Sequence, residues 1–142
     1  VRSSDLRTGR SIPEVFAHEG EDGVRAWERR LTLECAGPGV PPVVLVPGAG
    51  WVEDPAHRAA LQGPMTGVYL QVSPAVAVAR MQDGVTDRPL LAGPSPVSAV
   101  TSLLARREAF YLQANHVVST DSLTPVEVAS LIVALASRET GD

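Results

Sequence analysis

Lysine is absent from this 142-residue sequence, and all twelve of its basic residues are arginine. The 142 residues therefore contain no Gly-x-x-x-x-Gly-Lys-Ser/Thr stretch, whose backbone amides and lysine hold nucleotide phosphates in one large class of α/β proteins. Charged contacts with an anion must come from arginine. Its planar guanidinium can bind a carboxylate or a phosphate through two parallel hydrogen bonds.

Cysteine, basic charge and long apolar runs are also scarce. Cys35 is the single cysteine, so no internal disulfide can form, and a cytoplasmic location is expected. No apolar run approaches the roughly 20 residues that span a bilayer. The net charge of −4 and the pI near 5.3 argue against a nucleic-acid partner. The three histidines have no metal-ligand spacing, so the sequence predicts no metal site of its own.

Short apolar runs alternate with helical patterns along the chain. Continuous apolar runs are typical of strands buried on both faces, and they occur at about 43–46, 68–72 and 117–119. Helices are predicted at about 21–35, 54–61, 73–81, 97–114 and 124–138, several of them after a capping residue beside a proline. Strands separated by helices predict a layered α/β fold with a parallel sheet, in one domain spanning 1–142.

Arginine recurs in three stretches that flank or follow a glycine-containing turn. The stretches are Gly20-Glu21-…-Arg25-…-Glu28, Arg88-Pro89-Leu90-Leu91 and Arg107-…-Tyr111, and the turn is Gly48-Ala49-Gly50. Guanidinium groups around a glycine-lined cleft suit a small anionic substrate and a transferring phosphate. The segment 82–96 is longer than an ordinary connection and is predicted to be an active-site lid.

Each arginine also has an ordinary structural interpretation. Arg25 has the spacing to form surface ion pairs with Glu21 or Glu28, which contribute about 0.3–0.5 kcal/mol each. Arg88 could be an exposed loop residue beside Asp87. The residues alone leave both interpretations open.

Taken in order, these stretches resemble the shikimate kinases, which belong to the nucleoside-monophosphate-kinase-like group of P-loop folds. The resemblance begins at Arg7-Thr8-Gly9-Arg10 and ends at Thr120-Asp121-…-Thr124-Pro125. It covers nearly the whole chain with collinear spacing. Each motif is weak by itself, but six in the right order are specific together.

The resemblance implies a three-layer α/β/α parallel sheet of the P-loop kinase type. It also implies transfer of the γ-phosphoryl group of ATP, with Mg²⁺, to the 3-hydroxyl of shikimate on the route to chorismate and the aromatic amino acids. Residues 1–36 would then carry the shikimate-binding helices. The enzyme is expected to be a monomer when complete.

The family's site residues map onto matching positions of this chain. Arg25 and Arg107 would bind the substrate carboxylate, and Arg107 is preferred to Arg106 because it keeps the family's spacing to Tyr111. Arg88 would act from the lid, as the catalytic residue and the nucleotide contact that reaches the phosphates. The turn that lies against the substrate would be Gly48, Ala49 and Gly50.

Some parts of the family pattern are absent from these residues. They are the first strand, the P-loop, the second strand and the Asp-x-Asp after it. Ala49 replaces a glycine, and Leu123 stands where a nucleotide-side arginine is often found. These departures predict that the 142 residues are a fragment of a longer enzyme, incomplete in its sheet and inactive alone. Two of the strands near 43, 68 and 117 would then lose a neighbouring strand, unless those near 43 and 68 pair directly.

Two alternatives remain open at this point. The chain could be a non-catalytic shikimate-binding module that has lost nucleotide chemistry. It could also be a related P-loop kinase with another acceptor, such as gluconate.

Overall fold

The structure is a computed structural model that describes residues 12–81 and 95–139. The chain divides into two compact units, Val1–Thr66 and Gly67–Asp142. Each unit has its own organisation. Among the described residues, no helix is long and apolar enough to cross a membrane.

The first unit is built on a long kinked helix, α1, which spans Ile12–Cys35. Gly20 has φ 69° and ψ −169°, a conformation essentially restricted to glycine, and it divides the helix into two parts. The second part carries Arg25 and ends at Cys35, as the sequence predicted. The kink therefore sets the start of the helical segment that presents Arg25.

A short 3₁₀ turn, Trp51–Glu53, and the helix α2, Pro55–Ala60, complete the first unit. Asp54 caps α2 by accepting a hydrogen bond from the Ala56 backbone amide at 2.8 Å, and Pro55 occupies the first turn. These elements bring a small set of apolar side chains into the interior of the unit: Val15, Leu31, Trp51, Val52 and Leu61.

The strand predicted at 43–46 is not present, and this prediction was wrong. The segment has no regular secondary structure, and Val43, Val44 and Val46 are 48%, 67% and 69% exposed. No described residue pairs with it in a sheet. A strand is stabilised by its ladder and by side chains packed on its faces, so an apolar run without a partner gains neither. Direct pairing of this run with the next strand is wrong as well.

The second unit contains a two-stranded parallel sheet of β1, Val68–Gln71, and β2, His116–Ser119. The strands are in register from Val68 opposite His116 to Gln71 opposite Ser119. Both strands were predicted from their apolar runs, and the parallel pairing agrees with the predicted α/β fold. Their carboxyl ends therefore lie at the same edge of the sheet.

Three helices complete the described part of the second unit: α3, Pro74–Met81; α4, Pro96–Tyr111; and α5, Pro125–Glu139. Helices α3 and α4 pack together. Thr124 and Glu127 form a reciprocal capping box, in which the Thr124 amide donates to Glu127 Oε2 at 2.7 Å and the Glu127 amide donates to Thr124 Oγ1 at 3.3 Å. The sequence predicted this capped start correctly.

The loop after β2 is fixed by Arg80 from α3. Its Nη2 donates to the carbonyl oxygens of Thr120, Asp121 and Leu123 at 2.7, 3.0 and 3.3 Å. Asp121 Oδ1 accepts a hydrogen bond from the Ser73 amide at 2.8 Å, which lowers the pKa of this carboxyl. The two loops that follow the strands are therefore tied together by polar contacts.

Candidate functional site

Arg25 lies on the second part of α1 and is surrounded by carboxylates. Its Nη1 donates to Glu28 Oε2 at 2.7 Å, and its Nη2 donates to Glu21 Oε1 at 3.1 Å. Glu53 Oε2 is 3.8 Å from Nη2. The ion pairs of the ordinary structural interpretation are therefore present. The side chain remains 25% exposed, so the guanidinium is accessible from solvent.

The charge of Arg25 is secured by its surroundings. Partial burial by itself would lower the pKa of the guanidinium. The hydrogen bonds and negative charges of Glu28 and Glu21 oppose that effect, and the net result is a raised pKa. Arg25 is thus a permanent cation held in a defined position.

The glycine turn 48–50 lies directly beside Arg25. The Gly48 amide donates to Glu28 Oε1 at 3.0 Å, while the other oxygen of Glu28 accepts from Arg25. Glu28 therefore bridges the guanidinium and the turn. The turn is closed by the Trp51 amide, which donates to the Gly48 carbonyl at 2.9 Å.

A larger residue at Gly50 would require the Arg25 guanidinium to move, and the backbone conformation sets no such limit. Its φ of −85° is accessible to any residue. A Cβ added there would overlap the guanidinium of Arg25, and one added at Gly48 would lie 2.7 Å from Glu28 Oε1. Ala49, between them, is exposed. Ala49, which replaces a glycine of the family pattern, is therefore accessible to solvent.

Behind the turn lies a buried aromatic pair, which the sequence did not identify as part of a site. Trp51 and His57 stack with ring centroids 4.8 Å apart and planes 5° apart. Trp51 Nε1 donates to Thr32 Oγ1 at 2.7 Å, and Thr32 Oγ1 donates to the Glu28 carbonyl at 2.8 Å. The sequence predicted Trp51 to be a packing residue that follows the turn and could border the pocket, and it assigned no role to His57. The six-residue spacing of the pair gave no signal that the rings would meet.

An ion pair joins the start of α2 to α1. Arg29 Nε donates to Asp54 Oδ2 at 2.9 Å, while Asp54 Oδ1 caps α2. The hydrogen bonds from Arg29 and from the Ala56 amide lower the pKa of the Asp54 carboxyl. This contact fixes α2 against the part of α1 that carries Arg25.

Arg107 lies on α4 in the second unit and is only 7% exposed, whereas the adjacent Arg106 is exposed. A buried guanidinium is uncommon, because moving its charge out of water is costly. One turn further along α4, Tyr111 stacks on Tyr69 of β1 at 4.9 Å between ring centroids. The predicted convergence of Arg107 with Arg25 on one carboxylate stays a prediction.

Arg88 and the lid lie almost entirely outside the described residues. Of the segment 82–96, only Ser95 and Pro96 are described. Ser95 caps α4, with its Oγ accepting from the Ser98 amide at 3.4 Å. The role predicted for Arg88 stays a prediction.

A shallow cavity of about 250 Å³, with a mixed polar and apolar lining, lies at the carboxyl ends of the two strands. Its lining includes Gln71 and Ser119, the last residues of the strands, together with Ser73, Glu108 and Asp121. This edge of a parallel sheet is where α/β folds bind ligands. Of the predicted site residues that the structure describes, namely Arg25, Gly48, Ala49, Gly50 and Arg107, none lines it.

The described residues do not by themselves fit ATP and Mg²⁺. Within 12–81 and 95–139, no group of three or more histidine, cysteine, aspartate or glutamate side chains could hold a metal ion. The sequence also provides no P-loop lysine or serine/threonine for the nucleotide phosphates. No step of phosphoryl transfer is therefore assigned to these residues.

Comparison with known proteins gives a consistent result. The sequence model of the family described as shikimate kinase matches residues 4–136. A shikimate kinase of Thermus thermophilus is 36% identical over 132 residues, which cover 93% of this chain and 71% of that protein. A shikimate kinase of Pseudomonas syringae is 39% identical over 132 residues, covering 92% of this chain and 74% of that protein.

Solved structures agree with the sequence relatives. The shikimate kinase from Acinetobacter baumannii in complex with shikimate matches with a TM-score of 0.81 and 26% identity, over 97% of this chain and 76% of that one. The shikimate kinase from Bacteroides thetaiotaomicron matches with a TM-score of 0.75 and 25% identity, over 96% and 78% of the respective chains. The predicted P-loop kinase type of α/β fold is thereby confirmed.

Proposed function

The chain belongs to the shikimate kinase family, and from this premise we propose that it serves the ATP-dependent phosphorylation of the 3-hydroxyl of shikimate. In this proposal its first unit carries the acceptor site. Arg25 binds the substrate carboxylate, and the turn formed by Gly48, Ala49 and Gly50 lies against the substrate. The protein acts in the cytoplasm as a monomer.

The observation that supports this proposal most directly is the placement of Arg25 beside the glycine turn, with Glu28 bridging the two. Nη2 of Arg25 is bound by Glu21, whose side chain is 56% exposed. An ion pair this exposed contributes at most about 1 kcal/mol, so a substrate carboxylate can replace Glu21 at little cost. Glu28 is only 13% exposed and keeps the guanidinium in place while this happens.

Two further arginines complete the proposed site. Arg107 supplies a second guanidinium to the same carboxylate, and its burial on α4 holds that guanidinium in a defined position. Arg88 reaches the transferring phosphate from the lid at 82–96 and stabilises charge that develops in the transition state. The family relationship, rather than any contact described above, supports both roles.

The nucleotide side of the reaction is not assigned to any of the described residues. ATP and Mg²⁺ are the family's cofactors, yet these 142 residues contain no phosphate-cradling loop. We therefore propose that this polypeptide alone binds the acceptor but does not transfer a phosphoryl group. The absence of the phosphate-cradling loop also supports a second function, in which the chain is a shikimate-binding module without catalysis.

Calorimetric titration of the 142-residue protein with shikimate tests the acceptor site. We expect binding by the unaltered protein and a loss of at least about tenfold in affinity for Arg25→Lys, because lysine cannot form two parallel hydrogen bonds. Arg30→Lys is the matched control, since Arg30 lies on the same helix, is 67% exposed and pairs with Glu34. Equal binding by Arg25→Lys and the unaltered protein would contradict the assignment.

A coupled assay of ADP release tests the catalytic part of the proposal. With shikimate, ATP and Mg²⁺, the purified polypeptide is expected to show no turnover above background. Turnover by residues 1–142 would refute the claim that they are inactive alone. Preferential binding of gluconate over shikimate in the calorimeter would replace the proposed acceptor.

A further inference from the structure

His57 is the most completely buried large side chain among the described residues, at 1% exposure. Its Nδ1 lies 2.8 Å from the carbonyl oxygen of Trp51. A carbonyl oxygen can only accept, so Nδ1 carries the proton and donates. In the neutral form of the ring Nε2 is the acceptor, and this nitrogen has no hydrogen-bond partner within the described residues. Burying a ring with one unsatisfied nitrogen has a free-energy cost, which the rest of its contacts must offset.

The contacts of His57 lead to the glycine turn. The ring stacks on Trp51, and its hydrogen bond fixes the carbonyl of the same residue. The Trp51 amide in turn closes the turn by donating to the Gly48 carbonyl at 2.9 Å. His57 therefore holds both the side chain and the backbone of the residue that ends the turn.

The other side of Trp51 is attached to α1. Its indole nitrogen donates to Thr32 Oγ1, which donates to the carbonyl of Glu28. The side chain of Glu28 then binds both Arg25 and the Gly48 amide. A continuous series of short contacts thus runs from His57 through Trp51 and the helix to the guanidinium.

We infer that His57 and Trp51 are positioning residues, which hold the glycine turn against Arg25 and thereby set how strongly the site distinguishes a carboxylate from an uncharged group. This inference rests on the proposed function of Arg25. The close approach of Gly50 to the guanidinium makes the site sensitive to small movements of the turn. A carboxylate is distinguished from an uncharged group most strongly when the guanidinium keeps a fixed position beside the turn.

Two variants separate the two contacts of His57. His57→Phe keeps a flat ring for stacking but removes the donor at Nδ1. His57→Asn keeps an amide donor near the position of Nδ1 but loses the stacked ring. Leu61→Val is the control for ordinary loss of packing, because Leu61 is buried in the same unit and takes no part in this series of contacts. Trp51→Phe is the second test of the same series, since it keeps a ring and removes the donor to Thr32.

The first measurement needs no ligand. Hydrogen exchange of the Trp51 backbone amide reports whether the turn is closed on Gly48. We expect exchange about five- to tenfold faster in His57→Phe, as the loss of one buried hydrogen bond implies, and near the unaltered rate in His57→Asn. In Leu61→Val, the exchange rate of the Trp51 amide should change no more than the exchange rates of the amides of α1. Unchanged exchange in both His57→Phe and Trp51→Phe would overturn the inference.

The second measurement compares the affinities for shikimate and for its methyl ester, which lacks the negative charge. We expect the ratio of the two affinities to fall about fivefold or more in His57→Phe and to recover in His57→Asn. Loss of packing alone, as in Leu61→Val, should lower both affinities together and leave the ratio intact. If the unaltered protein binds no shikimate but the exchange result holds, the positioning role stands and the proposed acceptor fails. If shikimate binds and the ratio is the same in all variants, the acceptor stands and the positioning role fails.

Discussion

The two units of this chain are stabilised in different ways. Among the described residues, every buried apolar side chain lies in the first unit: Val15, Leu31, Trp51, Val52 and Leu61. The buried residues described in the second unit are polar or charged, namely Arg107 and Thr120. Its apolar side chains, including Leu70, Val117 and Val133, are 42%, 45% and 65% exposed.

Apolar residues make up a larger share of the second unit than of the first, so apolar content does not decide which unit is stabilised by apolar packing. The described part of the first unit has no sheet, and side-chain packing around Trp51 holds its helices and the turn. The second unit has a backbone ladder between β1 and β2, reinforced by Arg80 and Thr120. We therefore expect the first unit to be most sensitive to loss of volume and the second to loss of hydrogen bonds.

The largest effect is expected for Trp51→Ala. It removes a buried ring from the first unit and leaves His57 without its stacking partner. Large aromatic-to-alanine changes in a core cost about 3–5 kcal/mol. Denaturant unfolding, followed by hydrogen exchange of amides in α1, measures this cost. Trp27→Ala is the control, since Trp27 is only half-buried and should cost clearly less.

The next largest effect is expected for Arg80→Met in the second unit. The change keeps most of the apolar stem but leaves the carbonyls of Thr120, Asp121 and Leu123 without this donor. Hydrogen bonds from a charged group are worth about 1.5–3 kcal/mol, and partial exposure places the expected loss at the lower end. Arg138→Met, on the exposed end of α5, should be nearly neutral. If Arg80→Met loses no more free energy of unfolding than Arg138→Met, the proposed difference in how the two units are stabilised is wrong.

A smaller effect, dependent on pH, is expected from Asp54 in the first unit. Its pKa is lowered below the ordinary value of 3.8, chiefly by the hydrogen bonds from Arg29 and Ala56. Its stabilising contribution is therefore complete above that ordinary value and is lost as the pH falls through the lowered pKa. Asp54→Asn keeps the cap but removes the charge, and should cost about 0.5–1 kcal/mol at pH 7. Acid titrations of stability should converge for the two proteins near about pH 2, and a constant difference would argue against this origin.

The smallest effect is expected at the apolar run 43–46. Val44 is 67% exposed and belongs to no strand, so Val44→Thr should change the free energy of unfolding by less than about 0.5 kcal/mol. The matched change Val118→Thr alters a half-buried residue in the paired strand β2 and should cost more. Urea unfolding of both variants gives the comparison. An equal cost would indicate that the run at 43–46 is packed in solution.

Local signals in the sequence were sufficient for most elements of the fold. The capping pattern at Thr124 and the apolar runs of β1 and β2 predicted structure that is present, because caps and paired strands carry their own stabilising contacts. The run at 43–46 is equally apolar but has no described partner. An apolar composition makes a strand possible, but the strand forms only where another strand pairs with it.

The candidate site was also predicted only in part, because some of its contacts join segments that are distant in the sequence. Motif order placed Arg25 and the turn 48–50 in one site, and the structure brings them together. The stack of Trp51 on His57 has no such signature, because it depends on how α2 returns towards α1. The bridging role of Glu28 was equally hidden, since its spacing to Arg25 predicts an ordinary helical ion pair.

Two glycines of the first unit disfavour an L-side chain for different reasons, and handedness can tell them apart. Gly20 has open space around its Cα but a backbone conformation with φ 69°, which is the mirror image of an ordinary extended residue. D-alanine introduced there by chemical synthesis should be accepted, whereas L-alanine should not. Gly50 has an ordinary backbone, and the obstacle there is the guanidinium that occupies the place of an L-side chain. Comparing L-alanine with D-alanine at each position therefore distinguishes a glycine that is needed for its torsion angles from one that leaves space for a neighbouring side chain.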